Sequence, residues 1–495
     1  MEKFEAYTIF GKRVIYVVAA NIAIMVLGII QLPIITKALG SSQYGIWALI
    51  ITAITLIIPF TTFAFNLSII RFLAAEKDTD KIRDDFLSAC FLVLLTGIIL
   101  SFLIFFLAGF LATSILKNPV LSFDLKLSSV LLLLDTIFPI VLAFFRTKNK
   151  IGIYNFLNLG LSSLQVGLTI LFISLGYKLT GVIEAAIISA ATLNIIGFGI
   201  ILRQIGISRP KFSNMKAYLK WGIPLTPSAA IQWVINSSDR YIINYFRGVS
   251  ATGIYNAADV IGGYSSFAFL PVGIVLFPVI SKAYDERKLD TCKDYFKYSF
   301  KYLMMIAIPC AVGLSILAKP LLRILTTPEF ISGSSVIALA TIGGLFTCLY
   351  QIVIYVIFLA GKTQIDIILM SIATVLNIIL NVILVPHLGI VGAETASVIA
   401  YAVLGGLGLI MSRKYLKFNM SFSFLIKCAL SSGFMALCIW LINPRSLLMV
   451  SLSIVAGTIA YFGILILIRG FSKSELAFFT TFIRKSFKEI VRGGH

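Results

Sequence analysis

Residues Pro33 to Leu49 read PIITKALGSSQYGIWAL, and residues Tyr241 to Ala257 read YIINYFRGVSATGIYNA. Laid on each other at an offset of 208, the two agree at Ile34/Ile242, Ile35/Ile243, Gly40/Gly248, Ser42/Ser250, Gly45/Gly253 and Ile46/Ile254. Trp47 falls on Tyr255. The same offset places Gly181-Val-Ile-Glu-Ala-Ala-Ile-Ile-Ser on Gly389-Ile-Val-Gly-Ala-Glu-Thr-Ala-Ser. Two separated matches at one offset mark an internal repeat, so the first half of the chain is built like the second.

What is repeated follows from the residues between the matches. The chain has 495 residues, of which 59% are apolar and only 13% charged. That charge fraction is about half that of a soluble domain. A membrane span needs about 20 mostly apolar residues. Fourteen such stretches are expected, near 14–36, 44–66, 86–113, 127–145, 151–175, 180–202, 219–246, 251–280, 302–318, 333–360, 364–386, 389–411, 424–442 and 447–468. The first is read as a retained span, because it is long and lacks a small-residue cleavage site. A β-barrel is excluded, since barrel strands alternate over about 10 residues. The fold class expected is therefore an all-α polytopic membrane protein of 14 transmembrane helices.

Each repeat holds six spans. An even number gives the halves parallel topology, with the relating axis along the membrane normal. The expected units are 1–203 (spans 1–6) and 219–412 (spans 7–12), joined by a basic linker at 204–218. Spans 13 and 14 occupy 413–470. The stretch 471–495 mixes Phe478, Phe479, Phe482 and Phe487 with Arg484, Lys485 and Lys488, and reads as an amphipathic helix on the anionic inner leaflet.

The formal net charge of +20 (41 Lys and Arg, 21 Asp and Glu) suggests nucleic acid at first sight. The apolar fraction leaves no room for a soluble nucleic-acid domain, and the positive-inside rule gives the charge another meaning. With the N-terminus inside, 32 cations fall on inner segments and 8 on outer ones, while Arg240 lies within a span. Both termini are then cytoplasmic, in the inner membrane. The outer segments are short, which disfavours a membrane glycosyl polymerase or ligase with an external site. No GxxxxGK[ST] run exists to bind a nucleotide. Six scattered cysteines without a CxxC pair, and only two histidines, exclude a metal site or disulfide framework as an expectation.

Several stretches now resemble one family. Leu219 to Val260 (LKWGIPLTPSAAIQWVINSSDRYIINYFRGVSATGIYNAADV) resembles the seventh span of polysaccharide flippases, with its Asp-Arg, its Gly and its Gly-x-Tyr. LPIITKALGSSQYGIWALI resembles their first hairpin, and FPVISKAY fits the segment after span 8. Gly361 to Ser397, with Asn377 and Asn381, resembles their eleventh span. The chain is thus similar to the Wzx-type O-antigen and polysaccharide flippases of the multidrug, oligosaccharidyl-lipid and polysaccharide exporter superfamily. The resemblance implies two lobes in a V. It also implies translocation of a polyprenyl-diphosphate-linked oligosaccharide to the outer leaflet by alternating access, with a polysaccharide polymerase as partner and no cofactor beyond a coupling H+ or Na+. A cation-coupled multidrug exporter is the alternative within the superfamily.

Charges inside the apolar spans are the site candidates, because each costs at least ~2.5–3.5 kcal/mol at mid-bilayer. Arg240 leads, since a guanidinium binds diphosphate oxygens bidentately. Its neighbour Asp239 points about 100° away on a helix, which leaves Asp259 or Asp135 as its ion-pair partner. Asp135, in the middle of span 4, is read as the ion-coupling carboxylate. Asn256 and Asp259 share a face of span 8; structural hydrogen bonding between helices is the preferred reading, with hydroxyl or cation binding as the alternative. Asn377 and Asn381 share a face of span 11 and suit interhelix packing. Glu184 and Glu394 are expected near outer span ends, snorkelling. Arg71 and Arg146 sit at the cytoplasmic ends of spans 2 and 4, where orientation anchoring is the preferred reading and recruitment of a lipid diphosphate at the inner mouth the alternative. Lys37 and Arg247 flank the outer hairpins at the exit. Gly40, Gly45, Gly248 and Gly253 are read as permitting tight turns there.

Overall fold

The computed structural model describes residues 2–115, 119–419, 421–472 and 475, with side chains from Tyr16 onward except at 115, 120, 271, 274, 275 and 278. The proposed amphipathic stretch 471–495 lies almost entirely outside the described residues. Among them the secondary structure is helical throughout. The α-helices are α1 Glu2–Thr62, α2 Phe65–Leu73, α3 Thr79–Phe110, α4 Ser122–Thr147, α5 Ile151–Ser174, α6 Lys178–Ile205, α7 Met215–Gly222, α8 Thr226–Gly263, α9 Leu270–Asp285, α10 Leu289–Leu325, α11 Ser334–Leu359, α12 Gln364–Leu388, α13 Ile390–Ser412, α14 Phe422–Ile442 and α15 Leu447–Leu467.

Eleven of these are long and apolar enough to cross a membrane. Helices are what lipid demands, because each pairs its backbone N–H and C=O groups within itself. The α1 helix is two crossings joined at Gly40 (φ 67°, ψ 178°), and α8 is likewise broken at Gly248 (φ 83°, ψ 174°). Both dihedral pairs lie where only glycine sits without strain. The eleven include α1 but not α8 or α9; counting α1 as two legs and adding the two legs formed by α8 with α9 gives the fourteen expected crossings.

Span ends differ from expectation in three places. The second span stops at Thr62, because Phe63 and Ala64 turn left-handed (φ 46° and 54°), and the short α2 follows. The seventh was expected from 219. Its first turns instead form α7 and a 3-10 segment containing Pro224, so the crossing starts at Thr226. The eighth is interrupted by a 3-10 segment at Tyr264–Phe269 before α9, where Pro271 occupies the start of the helix.

The two repeats meet along α1 and α8. Gly45 and Gly253 touch there backbone to backbone: a Cβ on Gly45 would lie 3.0 Å from the Gly253 nitrogen, and one on Gly253 would lie 2.9 Å from the Gly45 nitrogen. Each would also collide with a carbonyl of the other helix, that of Val249 or Ser41. The expected turn role therefore belongs to Gly40 and Gly248 alone. Gly45 and Gly253 are needed because no side chain fits between the helices. The seam continues through a Ser41–Ser250 hydroxyl pair (2.6 Å), Tyr241 donating to the Leu49 carbonyl (3.0 Å), and the Trp233 indole donating to the Thr52 carbonyl (3.0 Å).

One buried apolar cluster runs across both repeats, joining Leu32, Ile35 and Trp47 to Ile243, Tyr255 and Leu322. Each repeat also has its own core, and α14 and α15 pack on α10 through Leu317, Cys428, Met435 and Tyr461. The linker is docked rather than loose. Met215 and Tyr218 of α7 are buried among Phe65, Phe86 and Phe144, while Lys211 pairs with Asp84 at 2.6 Å. Large apolar side chains such as Phe106, Ile195 and Trp440 face outward, as expected where lipid is the solvent.

Candidate functional site

The turn at Gly248 folds α8 back on itself, so residues sixteen to nineteen apart in sequence come into contact. Arg240 sits at the centre. Its Nη2 donates to Asp259 Oδ2 (2.7 Å), its Nε to Asn256 Oδ1 (2.8 Å), and its Nη1 to the Asn236 carbonyl (2.9 Å) and to Asp239 Oδ1 (3.3 Å). Of the two partners left open by the sequence, Asp259 is the one realised. Asp135 makes no ion pair among the described residues. Asp239, set aside on helical geometry, is also an ion-pair neighbour: the long guanidinium arm curls back along its own helix and reaches it.

Asp239 Oδ2 accepts a hydrogen bond from the Tyr255 hydroxyl, and that hydroxyl also contacts Glu394 Oε2 at 3.0 Å. A phenol has one proton to donate. It can serve one carboxylate, so the other must carry a proton of its own to contact the same oxygen favourably. Glu394, expected to snorkel at a span end, is instead only 4% exposed, as is Asp239, and Arg240 is 9% exposed. Three carboxyls thus surround one guanidinium in a buried setting where unpaired charge is costly. The arrangement is short of positive charge, which a proton or small cation can supply. The Tyr401 hydroxyl binds Asn236 Oδ1 (2.7 Å), and beyond it lies a cavity of about 440 Å³ lined by Asn236, Asp259, Glu394, Tyr350 and Tyr401.

Asp135 lies in a separate cavity, of about 380 Å³, in the first repeat. Gln31, Tyr44, Trp47, Gln165 and Tyr264 line it as well. Parts of the two cavities are related by the 208-residue offset: Gly28, Ile51, Asp135 and Ala186 of the first correspond to Asn236, Asp259, Gly343 and Glu394 of the second. Gln31, Leu32 and Trp47 of the first correspond to Asp239, Arg240 and Tyr255 of the charge cluster. A hydrogen bond joins that cluster to the first cavity, from Asn256 Nδ2 to the Tyr44 hydroxyl (3.0 Å).

The remaining candidates are dispersed. Lys37 Nζ donates to the Ile324 carbonyl (2.9 Å), and Arg247 donates to the carbonyls of Val385 (3.2 Å) and Pro386 (2.7 Å). Each cation therefore caps the C-terminal end of a helix, α10 or α12. Arg71 stacks over Trp221 at 5.0 Å, and Arg146 is exposed. Asn377 and Asn381 are buried, and Asn377 donates to Ser397 of α13 (3.2 Å), which is the packing role expected. Sequence reasoning missed Glu394 as a cluster member, and also Tyr255, Asn236 and Tyr44. The pairing of Trp47 with Tyr255 in the repeat was the one signal that pointed to the cavity walls.

The fold that carries these residues has known counterparts. The fold matches that of "Lipid II flippase MurJ, inward closed conformation", with a TM-score of 0.75, 19% identity, and coverage of 91% of this chain and 98% of that one. It also matches an inward-facing multidrug resistance MATE family transporter of the MOP superfamily, with a TM-score of 0.68, 16% identity, and coverage of 81% and 97%. The protein thus has the fold of these multi-pass membrane proteins. The family profile described as "Polysaccharide biosynthesis protein" matches residues 10–284, and the chain belongs to that family. A MatE profile matches 224–383.

Among curated relatives, an uncharacterized membrane protein of Methanocaldococcus jannaschii, MJ1068, is 22% identical over 386 residues, covering 73% of this chain and 75% of the relative. The "Probable low-salt glycan biosynthesis flippase Agl15" of Haloferax volcanii is 22% identical over 270 residues, 54% of this chain and 57% of its own length.

Proposed function

We propose that this protein moves a polyprenyl-diphosphate-linked oligosaccharide from the inner to the outer leaflet of the cytoplasmic membrane by alternating access. The lipid would then be delivered to a polysaccharide polymerase for surface glycan assembly. Both termini face the cytoplasm in this reading, and the seam carrying Gly45 and Gly253 is the outer closure. The carrying observation is a buried arginine cluster joined through the Asn256–Tyr44 bond to a polar cavity in the other repeat, in a chain of the polysaccharide biosynthesis family.

The roles follow from the contacts. The diphosphate competes with Asp259 for the Nη2 edge of Arg240, because both offer oxygens to the same guanidinium face. Asn256 holds the Nε edge and fixes the plane. The coupling H+ or Na+, read from the sequence at Asp135, is assigned instead to Asp239, Tyr255 and Glu394, where positive charge is lacking and where binding changes how tightly Arg240 is held; Asp135 makes no ion pair with Arg240. Arg146 and Arg71 gather the anionic lipid at the inner mouth. Lys37 is fixed to a helix end and serves the exit by shaping it.

A multidrug exporter is the second reading, favoured by one observation: a lone carboxylate, Asp135, among aromatic rings suits an organic cation. Reconstitution in liposomes separates the two. The expected result is movement of a polyprenyl-diphosphate oligosaccharide that depends on Arg240. Cation-driven dye efflux without lipid movement would reject the flippase.

A further inference from the structure

The first-repeat cavity has a polar lining that the protein itself leaves unused. Gln31, Asp135 and Gln165 all face it, yet none has a hydrogen-bond or ion-pair partner among the described residues. The same holds for the Trp47 indole N–H and the Tyr264 hydroxyl. Polar groups inside a membrane protein are costly unless something pairs with them. Here the pairing is left to whatever fills a space of about 380 Å³, within the range of ligand pockets.

We infer that this cavity is a saccharide subsite, taking the hydroxyl-rich part of the lipid-linked substrate while the diphosphate goes to Arg240. The inference rests on the flippase reading and assigns the sugar its place within it. Each glutamine amide both donates and accepts, which matches a hydroxyl that does the same. The Asp135 carboxylate accepts two hydroxyl protons at once. The Trp47, Tyr44 and Tyr264 rings offer flat apolar faces to the C–H side of a sugar ring. No Lys or Arg lines this space, and its one ionisable acid repels an anion, so the diphosphate is turned away.

The repeat sharpens the contrast. Where the second repeat carries Asp239, Arg240, Asp259 and Glu394, the first carries Gln31, Leu32, Ile51 and Ala186. A charged pocket has been answered by a nearly neutral one of the same origin. The profile of the polysaccharide family spans every residue lining this cavity, from Gly28 to Tyr264. Tyr44 stands at its edge and accepts from Asn256, whose carbonyl oxygen holds Arg240. A sugar here therefore sits one hydrogen-bonded residue away from the diphosphate site.

The test uses the full-length protein in lipid nanodiscs and two probes. One is the polyprenyl-diphosphate saccharide fraction extracted from the source cells. The other is sugar-free polyprenyl diphosphate. Gln31→Leu and Gln165→Leu should each weaken binding of the glycosylated lipid at least tenfold, while leaving affinity for the sugar-free lipid within about twofold. Arg240→Ala should weaken both. Glutamine variants that bind the glycosylated lipid like wild type would overturn the subsite, as would an equal loss for both lipids. Ethidium binding that falls in the glutamine variants while both lipids bind normally gives the cavity to an organic cation and overturns it too. A wild-type protein that binds neither lipid and moves neither in proteoliposomes fails at the prior step, and rejects the flippase reading itself.

Discussion

The two repeats began from one pattern and now differ in what their cavities hold. In the second, a guanidinium and three carboxyls are locked into each other beside a cavity that Asp259 and Glu394 line. In the first, the corresponding positions are neutral and the polar groups point into open space. The fold is shared; the division between a self-paired charge cluster and an unpaired polar lining comes from a handful of substitutions at matched positions. A duplicated scaffold can thus keep its helix packing and separate two tasks between its halves.

The largest effect should come from erasing the difference at its centre. Arg240→Leu gives the second cavity the residue that the first has at the matched position. It leaves Asp239 buried without its cation, a kind of loss that costs up to about 3–5 kcal/mol, and leaves the half-buried Asp259 unpaired at the cavity wall. Transport should be abolished at normal expression, and thermal unfolding in detergent should shift down. Wild-type surface polysaccharide in that variant, or in Arg240→Ala, would break the comparison.

Next is the seam that holds the repeats together. Gly253→Ala places a methyl group against the Ser41 carbonyl and the Gly45 nitrogen. Overpacking of this kind costs about 1–3 kcal/mol. A cysteine placed at Ser250 should react faster with a membrane-impermeant thiol reagent in the alanine variant, because the seam is wedged apart. An unchanged labelling rate would show that the contact yields elsewhere.

A smaller effect is expected from Tyr255→Phe, which removes the hydroxyl between Asp239 and Glu394 without altering volume. Transport should persist at a reduced rate and lose its dependence on the H+ or Na+ gradient. Retained gradient dependence would move the coupling site away from this cluster. The smallest change should follow Tyr44→Phe, which deletes one hydrogen bond between the cavities, worth about 0.5–1.5 kcal/mol. Its mark should be a modest loss of lipid affinity with little change in unfolding temperature.

The fold was almost wholly legible because lipid simplifies the problem. Apolar runs of sufficient length become helices, and the repeat pairs them. The exceptions lie where local backbone chemistry overrides hydropathy: the left-handed pair at Phe63 and Ala64, and the prolines 224 and 271, which shift or split spans that read as continuous. The charge cluster was half legible. Arg240 and Asp259 stood out against apolar neighbours, and so could be paired. Glu394 did not, because its place in a span is visible but the helix it faces is not. Asp239 was misjudged because residue spacing describes where Cβ atoms point, not how far an arginine can bend. Gln31 and Gln165 were invisible, since an uncharged amide scarcely disturbs an apolar run.

The contact of Gly45 with Gly253 has one more property. Gly45 meets the carbonyl four residues before Gly253, and Gly253 meets the carbonyl four residues before Gly45. Such reciprocity is the signature of an isologous interface, the kind that two identical subunits make about a dyad. Within a single chain it locates the molecule's own pseudo-dyad, which passes between these two residues. The two lobes therefore present equivalent backbone to each other at this point, and an outer closure built on a pseudo-dyad opens symmetrically: whatever frees Gly45 from the second lobe frees Gly253 from the first in the same movement.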